Sequence, residues 1–219
     1  MDKVRIIEVK QSIFADNDRD ADKLREELKI KKTFLLNLMS SPGSGKTTFL
    51  KGIIKRLKDD ISIGVMEADI DSDVDALAIK ETGVKAIQLH TGGMCHLDAS
   101  MTRQGLEEFG VNDLDLVVLE NVGNLVCPAE FDTGAHLNMV ILSVPEGDDK
   151  PVKYPLMFQV ADLVLINKID TLPIFDFNIE ECSRVILKRN PNAKIFKVSA
   201  LKDEGIDILA NEFVRRMEK

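Results

Sequence analysis

A glycine-rich segment early in the chain has the composition of a phosphate-binding loop. The segment SSPGSGKT covers residues 40–47 and lies between an apolar run and an amphipathic stretch, although Ser40 stands where this pattern usually begins with glycine. Glycines let backbone N–H groups turn toward an anion, and the N-terminus of the following helix adds a favourable dipole. Lys46 then reaches the terminal phosphates of a nucleotide, and the Thr47 hydroxyl binds Mg²⁺. Lys46 and Thr47 are the predicted catalytic residues. The residues of this loop predicted to bind nucleotide are Gly43, Ser44, Gly45, Lys46, Thr47 and Thr48.

A second polar segment predicts recognition of guanine. Residues 167–170, NKID, end the apolar run ADLVLIN and resemble the NKxD element of GTPases. A carboxylate at Asp170 accepts two hydrogen bonds from guanine, whereas adenine offers the opposite pattern and is rejected. Residues 199–201, SAL, end the next apolar run and resemble the element whose backbone N–H contacts guanine O6. The residues predicted to bind the base of GTP or GDP are Asn167, Lys168, Asp170, Ser199, Ala200 and Leu201.

Acidic residues beyond the phosphate loop predict the rest of a magnesium site. Glu120 ends the apolar run LDLVVLE and takes the place of the acid that holds Mg²⁺, often through water. The acidic stretch 67–75 predicts a first switch loop, in which Asp75 contacts Mg²⁺ together with Thr47. Gly123 resembles the switch glycine whose N–H senses the γ-phosphate. No glutamine follows Gly123, so the group that orients the attacking water is not identified and slow turnover is expected.

Two cysteines and a histidine form the third candidate constellation. Cys95 and His96 follow the run VKAIQL, and Cys127 lies a few residues past Gly123. Two thiolates and an imidazole suit Zn²⁺ or Ni²⁺. From the residues alone, two buried thiols and a surface imidazole are the favoured interpretation, and a metal site is the alternative. Cys182 shares a helical face with apolar residues and is predicted to lie in the core.

Alternating apolar and amphipathic segments predict an α/β fold. From residue 33 onward, short β-rich runs alternate with helical patterns near residues 97–108, 178–189 and 204–218. This order predicts a three-layer fold in which helices flank a mostly parallel central sheet. The predicted strands cover residues 33–39, 61–66, 114–120, 138–144, 161–167 and 193–199, with a further strand in VKAIQL. Residues 1–30 are predicted to form a polar, partly helical appendage to a GTPase domain at residues 31–219.

Composition limits the partners of the chain. Its 219 residues carry a formal net charge of −8, which disfavours nucleic acid because phosphate contacts need a basic face. No segment is long and apolar enough for a membrane span, and the first residues lack a signal-peptide pattern. The three cysteines are an odd number, so reduced thiols and a cytoplasmic location are expected.

Taken together, the motifs resemble the HypB family of hydrogenase nickel-insertion GTPases. The resemblance runs from about residue 33 to the end and is carried by SSPGSGKT, TGGMCHLDA, ENVGNLVCPAEFD, EGDDKPVKYP and NKID. It implies a P-loop GTPase that dimerises with GTP and assists nickel delivery to the large subunit of [NiFe]-hydrogenase, together with other maturation proteins. It also implies metal binding, of nickel or zinc, by Cys95, His96 and Cys127.

Three other functions stay open at this point. A related GTPase chaperone would serve another metalloenzyme or a cobalamin enzyme. A small-molecule kinase would use the same phosphate loop, and preference for ATP over GTP would distinguish it. A metal-binding module with incidental hydrolysis would release metal at the same rate whichever nucleotide is bound.

Overall fold

The computed structural model describes residues 5–8, 16–69 and 74–218, and for residues 5–8, 69, 74 and 75 only the backbone. The strands are β1 (Arg5–Glu8), β2 (Phe34–Ser40), β3 (Ile63–Asp69), β4 (Lys85–His90), β5 (Leu116–Glu120), β6 (Leu137–Ser143), β7 (Leu163–Asn167) and β8 (Lys194–Lys197). The helices are α1 (Asn17–Ile30), α2 (Lys46–Leu57), α3 (Val74–Lys80), α4 (Ala99–Phe109), α5 (Lys150–Lys153), α6 (Pro155–Val160), α7 (Ile179–Arg189) and α8 (Ile206–Met217).

The eight strands form one sheet in the order β1-β4-β3-β5-β2-β6-β7-β8. Every pairing in it is parallel. The carboxyl ends of parallel strands meet at one edge, where the loops after β2, β5, β6 and β7 come together. The predicted three-layer fold with a parallel central sheet is confirmed.

Helices cover both faces of the sheet because its strands are apolar on both sides. On one face α2, α3 and α8 bury residues such as Phe49, Ile79 and Phe213. On the other face α1 and α4 form one core cluster, and α6 and α7 form a second. In α2 the buried residues Phe49, Leu50, Ile53, Ile54 and Leu57 recur at helical spacing, so the helix that begins at Lys46 is held by its packing.

The segment predicted as an appendage packs on the rest of the chain. Strand β1 pairs with β4 at the edge of the sheet. Helix α1 packs against α4 and buries Ala21, Leu24 and Leu28 completely or nearly so. The proposed boundary between residues 30 and 31 stays a prediction, but α1 contributes to the same core as α4.

The acidic stretch after β3 is shorter than the sequence indicates. Strand β3 continues through Asp69, and Glu67 is buried within it rather than part of a loop. Pairing with β4 and β5 on both sides extends the strand beyond its apolar residues. Among the described helices, none is long and apolar enough to cross a bilayer.

Candidate functional site

A cavity of about 540 Å³ opens at the carboxyl edge of the sheet, between the loops after β2, β5 and β7. Its volume lies in the range of ligand pockets. It is lined by Gly43, Gly45, Lys46, Thr47, Thr48, Glu120, Lys168, Asp170, Thr171 and Leu201. The predicted phosphate-binding, magnesium-binding and base-binding residues therefore contribute to one pocket.

Lys46 lies at the phosphate end of this cavity. Its Nζ donates a hydrogen bond of 3.0 Å to Ser40 Oγ and lies 3.7 Å from Glu120 Oε1. Ser40 is fully buried and donates its own hydroxyl proton to the Ser41 carbonyl oxygen at 2.8 Å. The serine that departs from the usual loop pattern thus serves as a positioning contact for Lys46.

The segment 167–170, predicted to bind the base, also contacts the phosphate loop. Asn167 Nδ2 donates to the Ser44 carbonyl oxygen at 2.9 Å, and Lys168 Nζ donates to that of Gly43 at 2.6 Å. Gly45 has φ of +99°, and a Cβ there would lie 2.6 Å from Asn167 Nδ2. This position accepts only glycine, because both the backbone conformation and the close approach of Asn167 exclude a side chain.

Asp170 lines the same cavity and is half-buried. Its Oδ1 accepts a hydrogen bond of 2.5 Å from Ser199 Oγ, which orients the carboxylate. The backbone N–H of Ala200 donates to Asn167 Oδ1 at 3.1 Å. Of the segment 199–201, Leu201 is the residue that lines the cavity. Ser199 therefore contacts Asp170, and Ala200 contacts Asn167, rather than lining the cavity themselves.

The carboxylates near Lys46 suit a divalent cation. Glu120 is 2% exposed, and Glu67 lies beside it in register on β3 and is 3% exposed. Two buried carboxylates one strand apart repel each other unless cations compensate them. With Thr47 lining the same cavity, Glu120 and Thr47 fit a Mg²⁺ ion bound beside the phosphates. The side chain of Asp75, the third predicted ligand, lies outside the described part of the structure.

Two contacts tie the phosphate loop to the neighbouring strand ends. Gly123 lies so close to Pro42 that a Cβ on the glycine would be 3.2 Å from Pro42 Cγ. The carboxylate of Glu146 accepts hydrogen bonds from the Ser41 hydroxyl and from the backbone and hydroxyl of Ser143. Neither Pro42 nor Glu146 is among the site residues predicted from the sequence. The only indication of these two residues in the sequence is that they lie within the motifs SSPGSGKT and EGDDKPVKYP.

The predicted metal-binding residues come from two loops, the Cys95 loop (residues 91–98) and the Cys127 loop (residues 121–136). The Cys95 and Cys127 thiols are close enough to interact electrostatically. The His96 ring stacks on Phe131 with 3.7 Å between centroids and is 4% exposed. Its Nδ1 lies 3.9 Å from Cys95 Sγ, and its buried Nε2 has no hydrogen-bond partner. The two loops are therefore in direct contact.

The chemistry of these donors suits a soft divalent metal, but their present arrangement is incomplete. The contact with Cys127, followed by burial, raises the pKa of Cys95. Burial lowers the pKa of His96, which keeps the imidazole in its neutral, metal-binding form at pH 7. Within residues 16–69 and 74–218, no three His, Cys, Asp or Glu side chains are arranged to hold a metal ion. Metal binding by Cys95, His96 and Cys127 stays a prediction.

The third cysteine is structural, as predicted. Cys182 is fully buried in α7 within the core cluster beneath α6. Burial raises its pKa to about 12, so the thiol stays protonated and inert.

Comparisons with known proteins agree with this geometry. The nucleotide-binding domain model of the CobW/HypB/UreG family matches residues 34–197. Hydrogenase maturation factor HypB of Rhizobium leguminosarum bv. viciae is 47% identical over 207 residues, which are 94% of this chain and 69% of that protein. HypB of Helicobacter pylori, solved in complex with nickel, has a TM-score of 0.87 at 39% identity, covering 93% of this chain and 96% of that chain. HypB of Archaeoglobus fulgidus has a TM-score of 0.86 at 37% identity, covering 93% and 100%.

The family match covers more than half of the chain, and the solved relatives share its fold over nearly their whole length. The chain therefore belongs to the CobW/HypB/UreG family of P-loop nucleotide-binding proteins, among its HypB hydrogenase maturation factors.

Proposed function

We propose that this chain is a GTP-hydrolysing metallochaperone that assists nickel insertion into [NiFe]-hydrogenase, acting with its large subunit and other maturation proteins. One observation carries the proposal: the segment 120–127 begins at the nucleotide cavity and ends at Cys127, one of the metal-binding candidates. Glu120 lines the cavity just before this loop, Gly123 contacts Pro42 of the phosphate loop, and Cys127 reaches Cys95. A change at the phosphates is therefore transmitted to the thiols within eight residues of chain.

Specificity for GTP rests on Asp170. The carboxylate is oriented by Ser199 and lines the cavity together with Lys46 and Glu120. A carboxylate in this place accepts hydrogen bonds from guanine and leaves adenine unpaired. This argues against the alternative of a small-molecule kinase that uses ATP.

Hydrolysis rests on Lys46 and on the residues that hold it. Ser40 and Glu120 fix the ammonium group before a nucleotide binds, so its charge is preorganised toward the transferred phosphoryl group. Bound Mg²⁺, held by Thr47 and Glu120 with Asp75 as the third predicted ligand, would supply further charge stabilisation at the phosphates.

Nucleotide-dependent dimerisation would complete the metal site. The described conformation brings two thiols together but buries His96 against Phe131. Movement of the Cys127 loop with the γ-phosphate would shift Phe131 and release the imidazole. A second subunit would then contribute its own donors for Ni²⁺ or Zn²⁺, the metal being cargo rather than a resident cofactor.

A metal titration in both nucleotide states tests the proposal. We expect the affinity for Ni²⁺ to differ between the GDP and GTP-analogue forms, and the analogue form to sediment as a dimer at micromolar concentration. By linkage, Ni²⁺ changes nucleotide affinity by the same factor. Cys127→Ala should lose metal but keep GTP binding. Equal affinity and stoichiometry in both forms would show that metal binding and nucleotide state are independent.

A further inference from the structure

Helix α1 contacts the Cys127 loop and the start of α4, which directly follows the Cys95 loop. It precedes residues 34–197, the part of the chain that the family model matches, and the motifs gave it no role. Its first residue, Asn17, is 6% exposed and packs where the Cys95 loop enters α4. Helix α1 therefore lies against the segments that carry the metal-binding candidates.

The Asn17 amide bridges the Cys127 loop and the first residue of α4 through their backbones. Its Nδ2 donates to the Asp132 carbonyl oxygen at 3.0 Å, in the Cys127 loop. Its Oδ1 accepts from the Ala99 backbone N–H at 2.9 Å, directly after the Cys95 loop. Asn17 is 115 residues from one partner and 82 from the other, so a single side chain joins distant parts of the chain.

Arg25, two turns further along α1, holds the Cys127 loop at a second place. Its Nη2 donates to both carboxylate oxygens of Asp132 at 2.8 Å, and its Nε donates to the Ala135 carbonyl oxygen at 2.9 Å. Between these contacts Gly134 has φ of +77°, and a Cβ there would lie 2.8 Å from Leu24. The end of the Cys127 loop is thus fixed to α1 by polar contacts and close packing together.

These contacts lie next to the residues that join the loops. Asp132 directly follows Phe131, on which His96 stacks. Ala99 is three residues after His96, and between them Asp98 caps α4 by accepting from the Met101 backbone N–H at 2.8 Å. A shift of α1 would therefore move the His96–Phe131 stack and change the separation of the two thiols.

We propose that α1 is a clamp that sets the spacing of the Cys95 and Cys127 loops, with Asn17 and Arg25 as positioning residues for a soft divalent metal. The inference rests on the proposed assignment of Cys95 and Cys127 to metal binding. Two thiolates bind a metal tightly only when their separation is preorganised, and loss of the outer contacts that orient metal ligands lowers affinity about tenfold or more. Release of the clamp lowers metal affinity without touching the nucleotide cavity.

Ni²⁺ affinity of the full chain, measured by competition with a chromogenic chelator, tests the clamp. We expect Asn17→Ala and Arg25→Gln each to weaken Ni²⁺ binding about tenfold and to lower the intensity of the sulfur-to-nickel charge-transfer band. Affinity for fluorescent GDP should stay unchanged. The matched control is Arg103→Ala, which removes an ion pair that joins α4 to Glu27 of α1 rather than α1 to the Cys127 loop. It should leave Ni²⁺ affinity unchanged.

The outcomes separate the clamp from the site that it serves. If Cys127→Ala abolishes Ni²⁺ binding while Asn17→Ala and Arg25→Gln bind Ni²⁺ like the parent, the metal site stands and the clamp is refuted. If Cys127→Ala keeps Ni²⁺, the metal assignment itself fails and the clamp fails with it. Should Asn17→Ala not fold, Arg25→Gln decides alone, because Arg25 is partly exposed and its removal opens no cavity. Equal loss of Ni²⁺ affinity in Arg103→Ala would show that only general stability of α1 is involved.

Discussion

Replacement of Asp170 by alanine gives the most direct measure of base recognition. The carboxylate lines the cavity and is half-buried, with one oxygen already accepting from Ser199 at 2.5 Å. A hydrogen bond to a charged group contributes about 1.5–3 kcal/mol. The site is partly open to solvent, and Ser199 already donates to one carboxylate oxygen. The free energy contributed by two hydrogen bonds to guanine should therefore be about 2–3 kcal/mol in total. The expected loss of GDP affinity is therefore about 30-fold to 150-fold.

Fluorescence titration with labelled GDP and ATP measures this loss. Asp170→Ala should lose its preference for GDP over ATP, and Asp170→Asn should gain affinity for xanthosine nucleotides, since the amide complements a 2-oxo group. Asp176→Ala, which removes an exposed carboxylate further along the same segment, is the control and should bind like the parent. If Asp170→Ala binds GDP normally, or loses GDP and ATP equally, the assignment of Asp170 to the base is wrong.

Two further substitutions test the phosphate site and the stability of α8. Lys46→Ala should reduce phosphate release from GTP below detection and leave circular dichroism unchanged, because Lys46 contacts Ser40 and Glu120 at the cavity rather than the core; retained turnover would contradict its role. Arg215, assisted by Arg216 and Lys194, lowers the pKa of Glu212 from 4.5 to about 2. Because folding lowers this pKa, the ionised carboxylate of Glu212 contributes its full stabilisation above pH 4.5, and this stabilisation is lost as the pH falls toward 2. Since Arg215 and Lys194 are nearly half exposed, Glu212→Gln should cost about 1–2 kcal/mol at pH 7, or roughly 2–8 °C in Tm. The same Tm difference at pH 7 and pH 2.5 would refute this origin.

Contacts between distant residues account for most of what the motifs did not reveal. Glu67 was predicted to lie in an acidic loop. Instead, β3 extends through Asp69 because it pairs with strands on both sides, and Glu67 is buried beside Glu120. It assigned residues 1–30 to an appendage, whereas α1 shares a core with α4. Charged residues dominate the exposed faces of α1, so its apolar face is visible only once its partner helix is known.

The phosphate loop and the order of strands and helices were predicted from the sequence because they depend on local requirements. Glycines at positive φ, a lysine at the start of a helix and apolar runs of strand length are properties of neighbouring residues. The base-reading segment followed from its place after a buried strand, and the metal candidates from cysteine and histidine types in two loops. Only the tertiary structure decided which distant groups come into contact. In the nucleotide cavity, Ser40 contacts Lys46 and Pro42 lies against Gly123. At the metal-binding candidates, Cys95 lies near Cys127, and Asn17 contacts the Cys127 loop and the start of α4. These contacts depend on how the parallel strands and the helices pack in three dimensions, and short-range patterns in the sequence do not determine that packing.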